Sequence, residues 1–174
     1  EFMNLNLNEL VQQVNGEFAE RFEGRNLDLI CILQPEPLLI RADSRRIWRV
    51  LENLYVNVCK YAMPGTRVYV DAIKKDGKIQ LSIKNISENP LNFQADELTE
   101  RFIRGDVSRS TEGSGLGLSI AKNLTVLQHG SFNIYLDGDL FKVTITFDEA
   151  VKEKKPMSPM IVPEPVQEEA QQDV

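Results

Sequence analysis

Apolar residues at Leu7, Leu10, Val11, Val14, Phe18 and Phe22 recur at the spacing of one helix face, with Asn6 or Asn8 as a cap and Gly24 as a stop. Two apolar runs follow, 27–33 and 38–42, set apart by Pro35 and Pro37, and both read as strands. Residues 45–62 return to helical spacing through Ile47, Val50, Leu51, Leu54, Val58 and Tyr61, behind Asp43 or Ser44 as the cap. Alternation at 68–73 and 79–86 around Lys75-Asp76-Gly77-Lys78 predicts a hairpin. Periodicity then fades over 87–115, a long loop whose one helical signal is 97–102. A third long helix is expected over 118–127, and a last hairpin at 131–136 and 141–147 through Asp137-Gly138-Asp139.

That order predicts a two-layer α/β (α+β) sandwich, a mixed sheet with about three helices on one face. The 174 residues, 42% hydrophobic and 26% charged, suit one globular domain over 4–150 with a flexible tail from 151. In the tail Lys152-Glu153-Lys154-Lys155 gives way to Pro156, Pro159, Pro163 and Pro165, and Met157, Met160, Ile161 and Val162 are its only apolar cluster. Glu1-Phe2-Met3 has the look of a cloning remnant and is set aside from the fold. No apolar run reaches the roughly 18–20 residues of a membrane span, and no signal peptide is seen, so a soluble chain is expected. Cys31 and Cys59 lie among apolar residues without paired spacing and are expected to be buried thiols. A net charge of -6 argues against a nucleic-acid surface.

Two places carry candidate chemistry. Gly113, Gly115 and Gly117 alternate with Ser114 and Leu116 and run into Leu118 and the third helix, which suits a phosphate loop because glycine lets a polyphosphate approach the main chain and a helix start offers free N–H groups. The same spacing also describes a plain turn with a cap. In the second helix Asn53 and Asn57 share a face, with Lys60 and Tyr61 a turn further on. Asparagine is a mediocre helix former, so two in register read either as a hard-cation site, such as magnesium beside nucleotide phosphates, or as a solvated polar face. The only histidine, His129 before Gly130, reads as a helix-terminal residue.

Taken in order, the Asn53-Leu54-x-x-Asn57-x-x-Lys60-Tyr61 run, Arg101-Phe102-x-Arg104-Gly105-Asp106-x-Ser108-Arg109, and Gly113-Ser114-Gly115-Leu116-Gly117-Leu118 resemble the ATP-binding domain of bacterial sensor histidine kinases, a Bergerat-type fold, over roughly residues 5–148. The resemblance includes Ala42-Asp43 ahead of the asparagine helix. It implies ATP and Mg2+ as cofactors, Asn57 as the principal metal ligand with Asn53 its neighbour, Lys60 on phosphate, Tyr61 near base or sugar, and Arg104 or Arg109 reaching the phosphates from a lid. Where the family carries Asp-x-Gly-x-Gly, whose aspartate accepts from the adenine amino group, this chain reads Asn85-Ile86-Ser87-Glu88-Asn89-Pro90. Asn85 can still accept through its amide oxygen, without the charge that strengthens such a bond, which implies weaker affinity or a differently shaped adenine pocket.

Related ATPases of this superfamily place a water-activating glutamate one turn before the metal asparagine; here that position is Asn53, and Glu52 lies about 100° around the helix. The resemblance therefore implies transfer to a protein nucleophile. That nucleophile would be a histidine on the kinase's own dimerisation domain, a helical hairpin separate from this chain, with a response regulator downstream. It further implies a cytoplasmic portion of a membrane-anchored homodimer. The second reading is a degenerate module that docks on a partner without turnover, and it rests on the Asn85 box.

Overall fold

The computed structural model describes residues 1–91 and 116–151. Strand β1 (Phe2–Asn6) leads into helix α1 (Leu7–Gly24), then β2 (Asp28–Leu33), β3 (Leu39–Asp43), helix α2 (Ser44–Tyr61), β4 (Arg67–Lys75) and β5 (Lys78–Ile86). Helix α3 (Gly117–Leu127), β6 (Ser131–Asp137) and β7 (Leu140–Asp148) complete the order. A five-stranded sheet runs β2-β4-β5-β7-β6, with β2 parallel to β4 and every other neighbour antiparallel. Among the described residues, the mixed sheet with three helices is the sandwich expected from the order of elements.

One face of this sheet is the core. Val68, Val70 and Ala72 of β4, Ile79, Leu81 and Ile83 of β5, and Phe141, Val143, Ile145 and Phe147 of β7 are buried there, while Tyr69, Ile73 and Lys84 alternate to the uncovered side. Helix α1 lays Leu7, Val11, Val14, Phe18 and Phe22 on that core. Tyr55 of α2 is fully buried between Phe18, edge-on at 5.4 Å, and Phe22, stacked at 5.7 Å, and its hydroxyl bonds Asn15. Burial pushes its pKa up.

Local chemistry explains the element ends. Asn6 is the cap of α1, its Oδ1 accepting from Asn8 N, whereas Asn8 is buried and donates to the carbonyls of Gln34 and Glu36. Gly24 is the last helical residue, and the left-handed turn falls on Asn26. Asp43 caps α2 by accepting from the amides of Arg45 and Arg46. Asp76 and Gly77 both have positive φ between β4 and β5, the conformation a two-residue hairpin loop needs.

Three expectations need correction. Phe2 and Met3, set aside in the sequence reading, are strand residues: β1 pairs antiparallel with β3, joining Met3 to Ala42, in a separate two-stranded sheet. Cys31 is exposed, because β2 is an edge strand, while Cys59 on α2 is buried and both are free thiols. Gly117, read as part of the loop, is the first residue of α3. The 97–102 helical signal and the tail beyond Val151 lie outside the described residues.

Candidate nucleotide site

Helix α2 turns its apolar stripe onto the sheet and carries the asparagine pair on the flank toward α3. Asn57 is 8% exposed, Asn53 and Tyr61 are half-buried, and Lys60 is exposed. A solvated polar face is therefore not what Asn57 occupies. Glu52 is exposed, on a different side of the helix from Asn53.

Asn53 has its orientation set locally. Its Nδ2 donates to the Arg49 carbonyl at 2.7 Å, so the amide oxygen is the end left to face outward. That oxygen points at the start of α3: a Cβ placed on Gly117 would sit 3.5 Å from Asn53 Oδ1, an ordinary contact. Among the described residues the α3 N-terminus has no side-chain cap, and Leu116, in the cap position, is in the helical region. Uncapped first-turn N–H groups and the positive end of the helix dipole thus meet the asparagine face, an arrangement that suits an anion beside a hard cation.

The other end of α3 is clamped as well. Gln128 is 1% exposed; its Oε1 accepts from the Asp43 amide and its Nε2 donates to the Leu124 carbonyl, each at 2.9 Å. Asp43 to Asn53 spans ten residues and Gly117 to Gln128 eleven, so at about 1.5 Å rise per residue the two helices run antiparallel with both ends in contact. Nothing in the periodicity marked Gln128, whose importance is wholly tertiary.

Strand β5 brings in the third component. Its end is tied to the last turn of α2 by Met63 N to the Ile86 carbonyl and by Glu88 N to the Tyr61 carbonyl, both 2.8 Å, and by the Ala62–Ser87 bridge. Asn85 lies on the covered face, 3% exposed, and its Oδ1 has no hydrogen-bond partner among the described residues. A buried amide oxygen without a partner costs about 1–3 kcal/mol, and a ligand donor that meets it recovers that cost.

Asn53 and Gly117 are thus brought together, with Asn57 one turn further along α2 and Asn85 beside the helix end that bears Lys60 and Tyr61. Leu118 is buried core, so it lends the site only backbone, and Leu116 is exposed. Arg104, Arg109, Gly113, Ser114 and Gly115 lie outside the described residues. His129 follows α3 with φ 64° and its amide bonded to the Val126 carbonyl, the helix-terminal place expected of it. Among the described residues no helix is long and apolar enough to cross a membrane, and no group of three or more His, Cys, Asp or Glu is placed to hold a metal ion.

Residues 42–152 match the family model described as histidine kinase-, DNA gyrase B-, and HSP90-like ATPase. The signal transduction histidine-protein kinase BaeS of Escherichia coli strain K12 is 31% identical over 123 residues, covering 70% of this chain and 26% of BaeS. The sensor protein VanSC of Enterococcus gallinarum is 30% identical over 126 residues, 71% of this chain and 34% of that protein. This chain spans about a quarter to a third of these curated relatives. The nucleotide-free catalytic domain of histidine kinase ThkA superposes with a TM-score of 0.74 at 26% identity, covering 86% of this chain and 96% of that domain. The chain therefore belongs to the family of histidine kinase-, DNA gyrase B- and HSP90-like ATPases, as an ATP-binding catalytic domain of the sensor-histidine-kinase type.

Proposed function

We propose that this domain holds Mg-ATP between α2, α3 and the end of β5 and presents the γ-phosphate to a histidine on a helical hairpin outside this chain. The observation that supports the reading is the seating of Gly117 and the α3 start against Asn53, which would bring phosphate and metal side by side. The donor set suits magnesium: Asn57 would be the principal ligand and Asn53 its neighbour through the outward amide oxygen, hard donors of the kind the ion accepts alongside phosphate and water. When bound, magnesium supplies charge neutralisation at the transferring phosphoryl group. Lys60 would pair with phosphate, as would Arg104 or Arg109, the Gly113–Gly117 run would offer backbone N–H groups, Asn85 would accept from adenine and Tyr61 would pack near base or sugar. These groups position and neutralise; none activates water, since Glu52 stands off the site face.

The whole protein is proposed to be a membrane-anchored, homodimeric sensor with this domain in the cytoplasm, signalling to a response regulator. A solved complex of ThkA with the response regulator TrrA has the same fold, with a TM-score of 0.69. The docking-module reading rests on asparagine standing at position 85, and transfer decides between the two. Mixing the chain with γ-labelled ATP and the separately purified acceptor hairpin is expected to label the hairpin histidine, with Asn57→Ala reducing transfer at least about 100-fold while circular dichroism is retained. Label on His129, or brisk phosphate release without acceptor, refutes the proposal.

A further inference from the structure

The buried amide of Asn85 has a property that a carboxylate in its place would lack. On the covered face of β5 its neighbours are Ile83, two residues earlier, Ser87, two residues later and also buried, and Phe141, its cross-strand partner in β7. Ile83 and Phe141 offer no hydrogen-bond donor and the Ser87 hydroxyl is not bonded to it, so among the described residues Oδ1 of a side chain only 3% exposed has no partner. A half-turn about the last side-chain torsion exchanges the oxygen and NH2 of an amide at nearly constant shape. In one setting Asn85 accepts from a 6-amino group; in the other it donates to a 6-keto oxygen. An ionised carboxylate presents acceptors only and would repel a keto oxygen.

We propose that Asn85 makes the base pocket tolerant of both 6-amino and 6-keto purines, so that this domain takes guanine as well as adenine nucleoside triphosphates. The inference rests on the nucleotide reading above, with the base against Asn85. Discrimination between the two bases is a difference of affinities, and it is large only where one base leaves buried polar groups unpaired. Asn85 can pair with the 6-substituent of either base, so the discrimination an aspartate would supply at that position is missing.

Calorimetric titration of the chain with the magnesium complexes of the non-hydrolysable ATP and GTP analogues AMPPNP and GMPPNP tests this. The two dissociation constants are expected within about tenfold of each other, and Asn85→Asp is expected to widen their ratio by at least about tenfold, chiefly through loss of GMPPNP binding. AMPPNP binding with GMPPNP more than tenfold weaker overturns purine tolerance and leaves the nucleotide reading standing, whereas heat from neither analogue overturns that reading itself. An unchanged ratio in Asn85→Asp overturns the assignment to Asn85. If that variant does not fold, the wild-type ratio alone decides.

Discussion

Replacing Gln128 by methionine isolates the hydrogen bonds that clamp α3 to the start of α2. Methionine nearly matches glutamine in length and volume, so the cavity term is small and the lost bonds dominate. Two backbone groups lose their partner: the Asp43 amide, bonded at 2.9 Å to Oε1, and the Leu124 carbonyl, bonded at 2.9 Å to Nε2. The Leu124 carbonyl is not rescued by its own helix, because the Gln128 amide goes to Thr125 O instead. With the side chain 1% exposed, water is excluded from both positions. Each orphaned group costs about 1–3 kcal/mol, partly offset by the apolar gain of methionine, for a net loss of about 3 kcal/mol. At about 2–4 °C per kcal/mol for a chain of this size, thermal unfolding is expected to fall by about 6–12 °C, with a matching shift of the urea midpoint at constant slope. A variant within about 0.5 kcal/mol of wild type would refute the clamp, since surface changes routinely fall inside that range.

Gly130→Ala places a Cβ 2.7 Å from Phe147 Cε1 and 2.9 Å from Thr125 Cγ2, closer than real contacts, and is expected to cost about 1–3 kcal/mol in urea unfolding. Unchanged stability there would mean that Phe147 can move aside. Asp43 has its carboxyl held below its ordinary value of 3.8 by the N-terminal amine first and by the amides of Arg46 and Arg45 after it. A depressed folded pKa adds stability that is full above the ordinary value and is lost as pH falls through the folded one, so the effect belongs to the acid limb below about pH 4. Asp43→Asn keeps a good cap and is expected to flatten that limb; a stability curve parallel to wild type down to pH 2 would contradict the reading.

The asparagine face was readable because it is local. Asn53, Asn57 and Lys60 take their register from the helix repeat alone, and Asp43 is close enough in the chain to identify itself as the cap. Asn85 could be placed at the end of a strand from alternation. Its unpartnered oxygen could not, because that depends on Phe141 and Ile83 beside it and on the end of α2 nearby.

By itself the sequence determined the helices and strands other than β1, which face of each is apolar, and which residue types could meet phosphate and metal. These follow from the 3.6- and 2-residue periods, which tie burial to neighbours a few positions away. The tertiary structure alone decided that β2 runs parallel to β4 at an edge, exposing Cys31, and that β1 pairs with β3. Packing also set Gly117 on Asn53 and Gln128 on Asp43. Each of these joins residues far apart in the chain through a contact whose geometry no local period encodes, and the antiparallel seating of α3 on α2 is what brings the start of α3 onto the asparagine face.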